Sequence, residues 1–250
     1  MKIGIYGDSF GCLNLNLNDP NQISWPKLLV EAGYEVVNHS LVGASFSHTF
    51  RTFSEFHSLY DVNIVLITIP GRLELKEVPN KNFFTCKEDV IFYRKRQLSK
   101  FEESVRLKTS RILDYIETHF DYALGLENDS FARKVFTAHA RQLPGQNIFI
   151  GCFDDIIPES LPLYDIYNFE NIALGYDNAF PNRGPSLSKV INGKYLIDLR
   201  VCHLTEENHS MVAEKILSAI DCKSQTIDLK ISEFKKPSKD IMHYFRLLNI

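Results

Sequence analysis

No stretch of this sequence approaches the roughly 18 consecutive apolar residues of a membrane-spanning helix. The opening MKIGIYGDSFG has neither the apolar run nor the small-residue cleavage site of a secretory leader. Together these absences lead to the expectation of a protein made and kept in the cytoplasm, or released by lysis. Cysteine is sparse: Cys12, Cys86, Cys152, Cys202 and Cys222 form an odd set of 5 with no C-x-x-C spacing, which argues against a disulfide framework and against a zinc site. They read as reduced thiols, and no metal is expected. Basic charge is not in excess either. The 28 Lys and Arg against 31 Asp and Glu give a formal charge of −3, without the basic footprint of phosphate-backbone binding, so no nucleic-acid partner is expected. A P-loop lysine is missing, and Gly4, Gly7 and Gly11 follow G-x-x-G-x-x-x-G spacing instead of the dinucleotide G-x-G-x-x-G. The stretch Asn38-His39-Ser40 also offers no acid for a ribose hydroxyl. No cofactor is expected.

What is present is enough apolar material for one large core, 44% hydrophobic against 24% charged over 250 residues. The expected organisation is a single α/β domain spanning 1–250. KIGIY at 2–6 is a short apolar run broken by Gly7, as a first buried strand would be. Trp25 to Ala32 has helical spacing, with Pro26 near its start and Gly33 just past its end, and Tyr34 to Val37 reads as a second strand. A helix over 46–60 follows. NIVLITI at 63–69 is a β-branched run halted by Pro70-Gly71, the pattern of a central parallel strand.

From about 72 to 142 the chain is charged and aromatic, with helical patterns near 99–118 and 128–142, and reads as a helical insertion or cap beside the sheet. Within it, Phe83, Phe84, Phe92 and Tyr93 with Arg94, Lys95 and Arg96 either wall a groove or form core plus solvated face. NIFIGCF at 147–153 is a fourth strand. Residues 154–194 are loop-like, Tyr195 to Leu199 is a short strand, and Thr205 caps a last helix to Ile220 with Met211, Val212, Ile216 and Leu217 on one face. The tail from Cys222 onward shows no chemistry. The fold class this implies is a three-layer α/β/α sandwich with a mostly parallel sheet.

The first strand runs directly into Gly7-Asp8-Ser9-Phe10-Gly11, where open α/β sheets place their ligands. A helix starting after Ser9 would aim free N–H groups at an oxyanion formed when the hydroxyl attacks a carbonyl. The competing reading is that Asp8-Ser9 only caps a helix.

Gly7-Asp8-Ser9 near the start and Cys202-His203-Leu204-Thr205 near the end resemble the first and last blocks of the SGNH, or GDSL-like, hydrolases. Asn38 to Ser45 looks like that family's second block, whose glycine corresponds to Gly43. The resemblance implies a flavodoxin-like sandwich and a serine esterase or deacylase acting on a small-molecule or carbohydrate acyl ester. It makes Ser9 the nucleophile, His203 the base, and the Gly43 N–H an oxyanion donor. His209, six residues after His203, reads as structural or as a support to the site.

Two positions depart from the family. Its acid stands three residues before the histidine, where this chain has Arg200. Asp198 at the end of the strand is the orienting candidate, with Asp154 or a Ser-His dyad as alternatives. Its third block ends in Gly-x-Asn-Asp, where this chain has Pro70-Gly71-Arg72-Leu73-Glu74. Either Arg72 rebuilds the oxyanion site with a charged donor, or it holds an anionic ligand in a fold that has lost turnover; a surface residue in a turn is the plain alternative. The rival to the esterase is thus a non-catalytic binding or structural module, for example of a phage-like element. Nothing in the sequence sets an oligomeric state.

Overall fold

The computed structural model describes residues 1–12, 23–41, 44–68, 73–74, 83–84, 122–152, 190–191, 194–195, 204 and 206–234. Four parallel strands form the central sheet: β1 (Lys2–Tyr6), β2 (Glu35–Asn38), β3 (Val62–Ile67) and β6 (Gln146–Gly151), in the spatial order β2-β1-β3-β6. Two short antiparallel ladders stand apart from it. They pair β4 (Leu73–Glu74) with β5 (Phe83–Phe84), and β7 (Val190–Ile191) with β8 (Lys194–Tyr195). Of the strand expected over 195–199, Tyr195 is found in the hairpin with β7, and 196–199 lie outside the described residues.

Both faces of the sheet are covered, which is why every residue of β3 is buried, Asn63 included, in place of an alternating pattern. Helix α1 (Trp25–Glu31) and helix α4 (Glu206–Asp221) lie on one face over Ile3, Ile5, Ile64, Leu66, Ile148 and Ile150. Helix α2 (Phe46–Phe56) and helix α3 (Tyr122–Ala140) lie on the other, where Phe46, Phe53, Phe136 and Ala140 pack with Tyr6, Val65, Ile67 and Phe149. The result is a three-layer α/β/α sandwich. The 130–140 part of α3, which falls in the charged and aromatic middle of the chain, contributes buried Arg133, Phe136, Thr137 and Ala140 to it.

Helix ends follow from local chemistry. Ser45 caps α2 by accepting the His48 N–H at 3.3 Å. Pro26 sits in the first turn of α1. Past the end of α1, Gly33 takes φ +92 and sends its N–H to Val30 O, while the Tyr34 N–H reaches Leu29 O, the two bonds of a Schellman stop. Helix α4 stops with the same pair of bonds, Lys223 N–H to Ile220 O and Ser224 N–H to Ala219 O, but with Lys223 at φ 54 in the place glycine usually takes. Helix α2 ends at Phe56 and gives way to a 3-10 turn over His57–Leu59 instead of running to 60.

Residues 222–234, beyond α4, are built into the sandwich. Phe149 donates to Gln225 O at 2.9 Å and pairs in parallel with Thr226, so a single bridge occupies the fifth sheet position, beside β6. Ile227, Leu229 and Phe234 are buried in the α1/α4 face. The Gln146 side chain donates to both Ala219 O and Ser224 O, fixing where the chain turns back.

Candidate active site

The chain leaves β1 for α1 and β2 on one side, and returns through α2 to β3 on the other side of β1. The crevice between the carboxyl ends of β1 and β3 is the switch point of such a sheet. Ser9 lies there, in a one-turn 3-10 segment, Ser9–Gly11, directly after β1. Asp8 is its N-cap: Oδ1 accepts the Phe10 N–H at 3.1 Å, and the backbone carbonyl of Asp8 accepts the Gly11 N–H at 3.0 Å. Capping and the placement of a serine at the sheet edge thus coexist in the same three residues.

Four neighbours hold this turn. The Thr68 hydroxyl, just past β3, donates to Asp8 Oδ2 at 2.6 Å. Trp25 Nε1 donates to Phe10 O at 2.7 Å from the start of α1. Asn38, at the end of β2, donates from Nδ2 to Gly11 O and accepts the Ser40 N–H at Oδ1. Leu41 donates to Gly7 O at 3.0 Å, tying the segment that enters the second motif block to the exit of β1. Ser9 is 8% exposed and Asp8 is fully buried. Among the described residues the Ser9 hydroxyl has no hydrogen-bond partner, whereas Asp8 has both carboxylate oxygens engaged.

Of the residues singled out by sequence, Ser9 is described, while Gly43, Arg72, Asp154, Asp198 and His203 lie outside the described residues. Their chain neighbours are informative. Leu204 is buried in the same core cluster as Phe10, and Ala44, fully buried, donates its N–H to Leu41 O at 2.9 Å. His209 is 2% exposed and accepts the Trp25 N–H at Nδ1 across 3.4 Å, so it joins α4 to the start of α1. Asn38 belongs to the stretch read as the second motif block, whereas the parts played by Thr68, Trp25 and Arg133 escape sequence reasoning. Lone polar residues at strand ends, or within a helix, match no motif, and only the fold shows them converging.

A second polar and aromatic cluster lies beside β1 on the α2 face. The His39 ring is sandwiched between Tyr6, 5.0 Å away at 11°, and Phe56, 4.7 Å away at 6°, and its Nε2 meets the Tyr60 hydroxyl at 2.7 Å. Burial holds the His39 pKa below the ordinary histidine value, His48 adds to this, and Glu55 opposes it. Burial raises the Tyr60 pKa, with Glu35 adding, and it raises that of Tyr6 more strongly, with Tyr60 adding. The Tyr6 hydroxyl accordingly acts as a donor, to Asn63 Oδ1 at 3.0 Å. Asn63 Nδ2 continues to Asn147 Oδ1, and Asn147 Nδ2 to Ala140 O, a buried relay running across β1, β3 and β6. This cluster is engaged in packing on both ring faces.

Between α2 and α3 runs an open groove of about 520 Å³, lined almost entirely by carbon from Phe46, Phe50, Phe131, Val135 and Phe136. Among the described residues no group of His, Cys, Asp and Glu is placed to hold a metal ion, and no helix is long and apolar enough to cross a membrane.

No protein-family model matches the sequence, and no curated protein does. Among solved structures the chain is similar to the crystal structure of an acetyl xylan esterase, AlAXEase, at 12% identity and a TM-score of 0.40, covering 88% of this chain and 100% of that one.

Proposed function

We propose that the chain is a serine hydrolase of the SGNH type that cleaves an acyl ester, with Ser9 as nucleophile. The observation that carries this reading is the placement of Ser9 at the β1/β3 switch point, on a turn held by Asp8, Thr68, Trp25 and Asn38 while its own hydroxyl is not spent on holding the fold. In this reading His203 removes the hydroxyl proton as the oxygen attacks the acyl carbon, and Asp198 orients the imidazole. The N–H groups of Ser9 and Gly43, with Arg72, receive the charge that builds on the carbonyl oxygen. Support for the His203 assignment comes from its chain neighbour Leu204, which shares a core cluster with Phe10, the residue after Ser9. Support for Gly43 comes from the Leu41 bond to Gly7 O.

The test is labelling with a fluorophosphonate probe, in which the serine oxygen bonds to phosphorus and fluoride leaves. Wild-type protein is expected to label, and Ser9→Ala and His203→Ala are expected not to. Folded wild-type protein that stays unlabelled would move the assignment to a binding module that keeps this fold without turnover.

A further inference from the structure

We infer that Thr68 and Arg133 are positioning residues for Ser9, an inference that rests on the serine-hydrolase reading above. Arg133 lies on α3 and is fully buried, and its Nη1 donates to the Thr68 carbonyl at 3.0 Å. The hydroxyl of the same Thr68 donates to Asp8 Oδ2 at 2.6 Å, within the short range of a bond to an ionised acceptor. The other oxygen of Asp8 receives the Phe10 N–H at 3.1 Å. Guanidinium, threonine and carboxylate thus form a continuous path from the helix layer to the turn that carries Ser9.

A guanidinium out of water needs charge and hydrogen bonds to offset the loss of hydration, and one of the bonds that Arg133 makes is to the Thr68 carbonyl. What Arg133 supplies in exchange is a fixed donor at the carboxyl end of β3, directed at the backbone of the residue whose side chain holds Asp8. The Asp8 carboxylate in turn holds the Phe10 N–H, across Ser9 from its own residue. Attack on a carbonyl is sensitive to placement, since an error of about 1 Å at a nucleophile costs on the order of 10²-fold in rate. The path therefore sets the direction of the Ser9 hydroxyl without touching a substrate.

The experiment measures fluorophosphonate labelling as a function of probe concentration, separating the saturating rate from the half-saturation concentration, with near-UV circular dichroism as the check on folding. Thr68→Val keeps the shape of the side chain and removes its hydroxyl. The saturating rate is expected to fall about 10- to 100-fold with half-saturation unchanged, and Thr68→Ser is expected to restore most of it. Arg133→Met is expected to slow the saturating rate in the same manner, with Arg133→Lys intermediate. Should Thr68→Val fail to fold, Asp8→Asn gives the second reading: it keeps an acceptor for Phe10 while losing the carboxylate, and the same loss of rate is expected. Labelling of folded Thr68→Val, or of folded Asp8→Asn, at the wild-type rate overturns the inference and leaves the hydrolase reading standing. Wild type that does not label overturns both.

Discussion

The indole of Trp25 donates to the Phe10 carbonyl at 2.7 Å, while the backbone N–H of the same residue donates to His209 Nδ1 at 3.4 Å. One residue therefore couples the serine turn, the first helix and the last helix. Trp25 is fully buried and is the chain's 1 tryptophan, so intrinsic fluorescence reports on the serine turn directly. Trp25→Phe removes a buried donor and leaves a void, and a loss of about 2–4 kcal/mol is expected in urea unfolding. A variant as stable as wild type would show that the bond contributes nothing to the turn.

Gly11 is closely approached from two elements. A methyl built on it would stand 2.4 Å from both Ser40 Oγ and Leu66 Cδ1. Gly11→Ala is expected to destabilise by about 1–3 kcal/mol through overpacking and to slow probe labelling, because the displaced turn includes Ser9. Thermal melts of the two proteins, run beside labelling rates, check both parts.

Lys223 sits at φ 54, a left-handed conformation, in a helix stop that α1 fills with glycine. Relief of the side-chain clash predicts that Lys223→Gly raises stability by up to about 1 kcal/mol. A lowered melting temperature for that variant would contradict it.

The shift of His39 sets a pH dependence. Its pKa in the folded protein is held below the ordinary value, chiefly by burial. Between the folded and unfolded values the unfolded chain therefore binds more protons, and stability rises with pH through that window. The contribution is complete above the unfolded value of about 6.5 and is lost as pH falls below it. Urea midpoints at about pH 5 and about pH 7.5 are expected to differ more for wild type than for His39→Asn. Equal differences would assign the acid sensitivity to other groups.

The Asn63 side chain joins three strands, accepting from Tyr6 and donating to Asn147 Oδ1 at 3.0 Å. Asn63→Ala leaves two buried partners unsatisfied, and a cost of about 2–4 kcal/mol is expected, with the denaturant slope unchanged. An Asn63→Ala midpoint equal to that of wild type would remove the relay from the account of stability.

How much of this was legible in sequence depends on how local each signal is. The β3 run from 63 was readable because β-branched residues halted by Pro-Gly specify a buried parallel strand without outside help, and the strand is found over Val62–Ile67. The Ser9 turn was readable for the same reason, as a break after a short apolar run. The end of α2 was not, since no glycine or proline marks it; in the fold the His57 carbonyl just past it accepts from Asn63 Nδ2 at 3.1 Å. The tail from Cys222 onward offers no chemistry in sequence. Ile227 and Leu229 nevertheless alternate with exposed Asp228 and Lys230, a two-residue period that marks a half-buried extended segment. Thr68 and Arg133 were invisible because nothing in their immediate sequence distinguishes them. Their meaning comes from elements that are distant in the chain and adjacent in the fold.

The bond between Trp25 and His209 also imposes an order of events during synthesis. The segment bearing Ser9 lies within the first 12 residues, but the imidazole that accepts the Trp25 N–H belongs to residue 209. A nascent chain can therefore pair β1 with β2 and β3 while the serine turn still lacks its anchor to α4. That anchor forms only once α4 has been made and has docked, long after β1, β2 and β3 have left the ribosome.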